Sequence, residues 1–138
     1  PPAELGVAER LRVGHDLTLV TWSRMRHVCA EAAETLAAEG IGADLFDLRT
    51  LWPWDREAIF ASVRRTGRLL VAHEAVRTAG LGAEIVASAT EALFAELKAP
   101  PARLGGPRAP TPFSQPLEAL HRISAQNVAE AARRLLRA

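Results

Sequence analysis

The sequence predicts an α/β protein in which a mostly parallel sheet lies between two layers of helices, a three-layer α/β/α sandwich. Short apolar runs alternate with longer segments in which apolar residues recur every three to four positions, and these are the periods of strands and helices. The connections are short and contain glycine and proline, which is typical of parallel strands joined by crossover helices. A chain of 138 residues is long enough for one domain with its own core.

The first part of the chain is predicted to form strand, strand, helix, strand. LTLVTW is apolar and rich in β-formers, so it predicts a buried strand. The helix has apolar residues every three to four positions, and Gly40 follows it in the position of a left-handed C-terminal cap. The predicted bounds are a weak strand at 8–13, a strand at 17–22, a helix at 25–39 and a strand at 43–48.

The second part is predicted to form helix, strand, helix, a loop with one short strand, and a last helix. Asp55 caps the first of these helices, Arg64 and Arg65 lie in its last turn, and Gly67 ends it. Ser124 caps the last helix. The predicted bounds are a strand at 69–72, a helix at 82–97, a short strand near 102–104 inside the loop 100–116, and a helix that begins after Ser124.

Composition excludes several classes of function. The 17 basic and 16 acidic residues nearly cancel, so neither nucleic acid nor an acidic membrane surface is an expected partner. Cys29 is the only cysteine, which excludes an internal disulfide framework and fits a reducing, cytoplasmic compartment. No apolar run approaches the roughly 20 residues of a membrane span. The four histidines lack metal-ligand spacing, so no metal site is predicted.

Two polar segments follow predicted strands and therefore belong to the edge of the sheet where ligands of α/β proteins bind. One segment contains Ser23, Arg24 and His27, and the other, His73–Arg77, contains Glu74 as well. If the two strands are neighbours, a polar cleft forms between them. One hypothesis is that His73 or His27 transfers a proton while Glu74 orients it. The alternative is that Glu74 pairs with Arg77 on a loop and that no chemistry occurs there.

Gly80 and Gly82 precede the helix predicted at 82–97, where free backbone N–H groups could hold an anion. The segment GLGAEI lacks the complete G-x-G-x-x-G pattern, and the chain has no Walker lysine. Glycines also serve simply to turn a strand into a helix. A possible anion site and a purely structural turn therefore both stay open.

Aromatic residues in two proline-containing loops are candidates for docking a partner. Trp52 and Trp54 flank Pro53, and Phe113 lies in the rigid segment PRAPTPF. Large aromatic side chains on loops frequently anchor protein interfaces. The alternative is that one or both tryptophans fold back over the sheet.

Four strings follow one another along the sequence: VTWSRMRHVCAEAAETLAAEGI, DLFDLRTLWPWD, RRTGRLLVAHEAVRTAGLGAEI and GGPRAPTPFSQPLE. Together they resemble one known family, the C-terminal domain of the transketolase superfamily. The likeness is strongest to the beta subunit of the thiamine-diphosphate-dependent component of 2-oxoacid dehydrogenase complexes of the pyruvate, branched-chain and acetoin types. It covers residues 9–136.

The resemblance implies a five-stranded sheet whose weak first strand is antiparallel to the other four. It implies that thiamine diphosphate and Mg²⁺ bind to other domains of the parent enzyme, an oxidoreductase, and that this domain serves assembly. Arg49, His73, Glu74 and Arg77 would then secure an interface loop. The implied partners are the chain's own pyrimidine-binding domain, the alpha subunit, a twofold-related beta subunit and the subunit-binding domain of the acyltransferase.

Two departures from the family pattern bear on function. Ser23 stands where the family usually has glycine, and Arg108 stands where the family usually has an acid. Arg108 would repel a basic acyltransferase domain, since like charges at an interface cost several kcal/mol. We expect residues 1–8 to be the end of a linker and residues 9–138 to be the domain. The alternatives are a regulatory domain that binds a small ligand or nucleotide, and the C-terminal domain of a transketolase or a deoxyxylulose-phosphate synthase.

Overall fold

The computed structural model describes residues 4–138 and has the predicted three-layer arrangement. One five-stranded sheet has the strand order β1-β3-β2-β4-β5. The strands are β1 (Glu9–Arg12), β2 (Leu17–Thr21), β3 (Ala43–Asp47), β4 (Leu69–Val76) and β5 (Ala102–Gly106). The helices are α1 (Met25–Ala38), α2 (Arg56–Thr66), α3 (Leu81–Leu93), α4 (Gln115–His121) and α5 (Ala125–Arg137), and a short 3₁₀ turn, Phe94–Glu96, follows α3.

The orientation of the strands confirms the mixed sheet. β1 pairs with β3 in an antiparallel register, and every other pairing is parallel. β2 lies in the centre, because the chain first adds β3 on one side of it and then crosses to add β4 on the other. This reversal is the switch point of the sheet, and it lies between the carboxyl ends of β2 and β4.

Each face of the sheet has its own apolar core because side chains alternate along a strand. Leu19 and Leu70 face α1 and α5, whereas Val20 and Val71 face α2 and α3. The last helix contributes Val128, Ala131 and Leu135 to the first core. The sheet is therefore buried on both faces, as expected of parallel strands.

The helix boundaries follow the predicted capping signals. The Asp55 carboxylate accepts a hydrogen bond from the Ala58 N–H at 3.0 Å. Gly67 ends α2 with a φ of 72°. Ser124 accepts a hydrogen bond from the N–H of Asn127, whose side chain accepts in return from the backbone N–H of Ser124. These local signals fixed the ends of α2 and the start of α5.

Two predicted boundaries were wrong, and one helix was missed. β4 does not end at Ala72 but continues to Val76, so His73 and Glu74 lie in a strand rather than in a loop. α3 ends at Leu93, earlier than predicted. The helix α4 was not predicted at all, although Pro116 lies in its first turn, where proline is favoured.

The first residues of the described range lie against the domain. The N–H of Gly6 donates to the Thr50 hydroxyl at 2.9 Å, and the N–H of Ala8 donates to the Asp55 carboxylate at 2.9 Å. Residues 1–3 of the predicted linker lie outside the described residues. Between residues 4 and 138, no helix has both the length and the apolar character that crossing a membrane requires.

Candidate functional site

The polar cleft forms where the switch point predicted it, because β2 and β4 are neighbours. Arg24, just beyond β2, donates a hydrogen bond to the Glu74 carboxylate of β4 at 3.1 Å. Both side chains are about half exposed, so solvent screens this ion pair and it adds little stability. The suggested Glu74–Arg77 pair is wrong, since Glu74 pairs with Arg24 instead.

A cavity of about 200 Å³ opens beside this ion pair, between the carboxyl ends of β4 and β5 and the helix α4. The opposite wall is lined by an ion pair, at 2.5 Å, between Glu118 of α4 and its C-cap residue Arg122. Sequence reasoning missed this wall, although Glu118 and Arg122 have the four-residue spacing of a helical ion pair. The lining residues are Arg24, Glu74, Gly106, Thr111, Glu118, His121, Arg122 and Ile123.

His73 is completely buried on the other face of β4 and does not reach this cavity. Its imidazole stacks on the Trp22 ring, with centroids 5.1 Å apart and planes 16° from parallel. Neither ring nitrogen has a hydrogen-bond partner among the described residues. Burial is the main cause that lowers the pKa of His73, so the ring is held neutral near pH 7. Because successive residues of a strand point to opposite faces, Glu74 does not orient His73.

Gly80 and Gly82 lie directly against the His73 ring. A Cβ at Gly82 would lie 2.5 Å from Nε2 of His73, and a Cβ at Gly80 would lie 2.9 Å from Cε1. The imidazole therefore fills the space beside Gly82 at the start of α3. Close packing is a sufficient reason for both glycines, whether or not an anion also binds near them.

The other polar residues in the segments after β2 and after β3 shape the local backbone or bind to the edge of the sheet. Ser23 and Arg49 have left-handed φ values of 55° and 57°. Arg26 donates to Asp47 at 3.0 Å and to Glu9 at 3.4 Å, which ties the start of α1 to β3 and β1. His27 is exposed, and Arg49 lies 3.8 Å from Glu9.

The two tryptophans have opposite environments. Trp54 is only 8% exposed and packs edge-on against Phe60, with centroids 5.9 Å apart. Its prediction as a docking residue was therefore wrong, because it belongs to the core between the sheet and α2. Trp52 is 81% exposed and lies beyond the carboxyl end of β3.

The segment after β5 leaves its apolar residues in solvent. Phe113 is fully exposed, and Arg108, five residues earlier, is exposed as well. α4 contains no buried residue. Among residues 4–138, no group of three or more His, Cys, Asp or Glu side chains is arranged to hold a metal ion.

Comparison with known proteins identifies the family of this fold. The family model of the transketolase C-terminal domain matches residues 6–128. The chain belongs to this family. The match confirms the resemblance, and it includes every strand of the sheet and both segments that form the polar cleft.

The relatives of this transketolase C-terminal domain include beta subunits of several dehydrogenases. The pyruvate dehydrogenase E1 component subunit beta of Porphyra purpurea is 39% identical over 96% of this chain and 40% of its own length. The 2-oxoisovalerate dehydrogenase subunit beta 2, mitochondrial, of Arabidopsis thaliana is 46% identical over 79% of this chain and 30% of its own. The acetoin:2,6-dichlorophenolindophenol oxidoreductase subunit beta of Cupriavidus necator is 42% identical over 96% of this chain and 39% of its own length. The chain thus spans less than half the length of these relatives.

Solved structures show the same fold. A split-gene transketolase, described as an inactive beta4 tetramer, superposes with a TM-score of 0.83 at 31% identity, over 98% of this chain and 44% of that one. A transketolase from Pichia stipitis superposes with a TM-score of 0.63 at 16% identity, over 94% of this chain and 18% of that one. The second likeness shows the fold alone.

Proposed function

We propose that this chain is the C-terminal assembly domain of a 2-oxoacid dehydrogenase beta subunit, a part of an oxidative decarboxylase that does not itself carry the reaction. The observation that carries the proposal is the surface at the carboxyl ends of the strands. It combines exposed apolar side chains, Trp52 and Phe113 among them, with a cleft of paired charges, on a fold shared with dehydrogenase beta subunits. Exposed apolar residues rimmed by charges are typical of protein interfaces.

The geometry of the cleft supports assembly over catalysis. The histidine that could transfer a proton, His73, is buried and faces away from Glu74, whose carboxylate is already paired with Arg24. A general base must come within hydrogen-bond distance of the proton that it removes. In the proposal, thiamine diphosphate and Mg²⁺ are held by other parts of the parent enzyme, and the carboxyl-end surface contacts the pyrimidine-binding domain, the alpha subunit or a twofold-related beta subunit.

A chimera tests this proposal. The pyruvate dehydrogenase E1 component subunit beta of Bacillus subtilis is 40% identical over 96% of this chain, which matches 41% of that relative. We expect a Bacillus subunit that carries this chain in place of its own matching part to assemble and to decarboxylate pyruvate. Failure of the chimera to assemble, while the unmodified Bacillus subunit assembles in parallel, would contradict the proposal.

Calorimetry of thiamine diphosphate binding tests whether the cofactor binds to this domain or to the rest of the parent enzyme. The isolated chain should not bind thiamine diphosphate with Mg²⁺, whereas the chimera should. Micromolar binding by the isolated chain would contradict a purely structural role.

A second candidate function is a regulatory site for a small ligand in the cavity beside Arg24 and Glu74. The cavity favours it because it opens at the carboxyl ends of β4 and β5, beside the switch point. Its volume of about 200 Å³ is below the roughly 300–1,000 Å³ of most ligand pockets, which argues against a nucleotide. A thermal-shift screen with small carboxylates, phosphates and nucleotides tests this function, and no rise in melting temperature would remove it.

A further inference from the structure

The helix α4 is amphipathic in the reverse sense to an ordinary surface helix. Its polar residues Glu118 and His121, together with its C-cap residue Arg122, line the cavity and therefore face the domain. Its apolar residues Leu117 and Leu120 are 55% and 84% exposed. A helix that belongs only to its own domain turns its apolar side to the core. This reversal leaves the apolar side of α4 without a partner among the described residues.

The residue that leads into α4 extends the same surface. Phe113 is fully exposed, and it lies one position before the N-cap residue of α4, Ser114. Phe113, Leu117 and Leu120 expose apolar area whose burial against a partner would be favourable. We call this set of three residues the α4 surface.

Charge around the α4 surface is unbalanced. The two nearby carboxylates, Glu74 and Glu118, are already paired with Arg24 and Arg122. Arg77 and Arg108 are both exposed, and neither forms an ion pair with any residue of the described range 4–138.

These two arginines belong to the same corner of the molecule. The backbone N–H of Arg77 donates to the Gly106 carbonyl at 3.0 Å, and Arg108 follows Gly106 by two residues. Gly106 also adjoins α4, since a Cβ on it would lie 3.7 Å from Nε2 of His121. The strand ends beside α4 therefore carry uncompensated positive charge.

We propose that the α4 surface binds an amphipathic protein segment whose flanks are acidic. This inference refines the proposed function, on which it rests, by stating the chemistry of the partner at one surface. Carboxylates of the partner would pair with Arg77 and Arg108 while its apolar side covers Phe113, Leu117 and Leu120.

The same charges argue against two other occupants. A second copy of the chain that met this surface face to face would place Arg77 and Arg108 of both molecules in one interface. The nearby carboxylates Glu74 and Glu118 are already paired, so that interface would keep four arginines without partners. A basic partner would be repelled by the same arginines. Like charges across an interface cost several kcal/mol and are a common means of rejecting wrong partners.

Two synthetic helical peptides test the proposal with the chain as it exists. They share one leucine face and carry either glutamate or lysine on the flanks, and fluorescence anisotropy measures their binding at low salt. We expect the glutamate peptide to bind about tenfold or more tightly than the lysine peptide. The double variant Arg77→Glu, Arg108→Glu should reverse the preference, and Leu120→Asp should abolish binding of both peptides.

Arg134→Glu is the matched control, because it reverses an exposed arginine on α5, on the helix whose neighbouring Arg133 pairs with Glu39. It should leave both affinities unchanged, and thermal unfolding of every variant checks that the fold is intact. Binding of neither peptide, equal binding of both, or equal effects of the double variant and the control would overturn the proposal. Self-association in sedimentation that Leu120→Asp abolishes would also overturn it, since the occupant would then be a second copy. The peptide experiment contains no dehydrogenase, so its failure is distinct from failure of the chimera.

Discussion

Ser23 holds a backbone conformation that suits glycine better than serine. Its φ of 55° lies in the left-handed region, where a side chain other than that of glycine costs roughly 1 kcal/mol. We expect Ser23→Gly to raise the free energy of unfolding by about 0.5–1 kcal/mol, as measured by urea denaturation. Ala61→Gly, at an exposed position inside α2, is the control and should lower it by about 1 kcal/mol. Destabilisation by Ser23→Gly would show that the serine side chain compensates for the strain.

The contact between His73 and the start of α3 can be tested by steric conflict and rescue. The Cβ that Gly82→Ala introduces would lie 2.5 Å from Nε2 and 2.7 Å from Cδ2 of the buried ring. We expect this change to cost about 1–3 kcal/mol of stability in urea denaturation, although alanine normally favours a helix. Combining it with His73→Ala removes the obstacle, so the same glycine change should then be neutral or stabilising. Equal costs in the two backgrounds would show that the ring and the glycine do not interact.

His73 should make stability depend on pH below its ordinary pKa. Burial lowers the pKa of the folded ring below 6.5, the ordinary value of histidine. A polar contact with the Ala75 backbone opposes this shift in part, and the positive charge of Arg103 on β5 adds to it. The unfolded chain therefore binds a proton that the folded chain does not. Stability should be unaffected by this group above pH 6.5 and should fall as the pH drops below it, by up to about 1.4 kcal/mol per pH unit.

The matched variant for this pH dependence is His73→Phe. It keeps an aromatic ring against Trp22 and loses two nitrogens that have no hydrogen-bond partner in the described residues. Urea denaturation between pH 7 and pH 5 should show a shallower decline for the variant. Parallel curves for the two proteins would assign the pH dependence to other groups.

Asp44 joins three separate segments through one buried carboxylate. The carboxylate accepts hydrogen bonds from Arg10 of β1 at 2.7 Å, from Arg65 and Ser62 of α2, and from the backbone N–H of Gly14 at 3.3 Å. Without Asp44, the buried Ser62 hydroxyl and the Gly14 N–H would lose this acceptor, whereas Arg10 and Arg65 are each more than a third exposed and would be solvated in part. We expect Asp44→Ala to lower the free energy of unfolding by about 1–3 kcal/mol in urea denaturation. Glu39→Ala, which breaks the exposed pair with Arg133, is the comparison and should have a much smaller effect.

Helices with local start and stop signals were predictable from sequence, and the remaining errors have physical causes. Asp55, Gly67 and Ser124 act on the backbone of their own helix, so their effect does not depend on the rest of the fold. The continuation of β4 through His73 depends instead on pairing with β5, whose register shifts between Ala72 and Val76. Local patterns in a single sequence do not show which distant strands pair, so the full length of β4 could not be predicted.

The polar cleft was predictable because topology alone brings its residues together. Parallel strands place the carboxyl ends of β2 and β4 at one edge of the sheet. Because the two strands are neighbours, Arg24 and Glu74 lie within hydrogen-bond distance of each other. The sequence did not show which side of each strand a residue faces, so His73 and Glu74 were grouped although they point apart. The same limit applies to Trp54 and Trp52, only one of which contacts the core. The sequence pattern thus located the polar cleft, whereas the direction in which each side chain points required the three-dimensional structure.

The carboxyl-end surface and the core should unfold as separate cooperative units. α4 buries no residue of its own, whereas α5 buries Val128, Ala132 and three others against the sheet. Regions with few buried apolar contacts open locally at a small fraction of the global free energy of unfolding. We expect native-state hydrogen exchange to show the weakest protection of any helix in α4 and the strongest protection in β2, the central strand.

A pair of glycine substitutions tests this separation independently of exchange. Ala119→Gly weakens the exposed middle of α4, whereas Ala132→Gly weakens the buried side of α5. Both changes cost about 1 kcal/mol of helix propensity, but only the loss in α5 belongs to the global transition. The melting temperature should therefore fall for Ala132→Gly and stay near that of the unmodified chain for Ala119→Gly. Equal decreases in the two variants would mean that α4 unfolds together with the core. The domain itself would then stabilise α4.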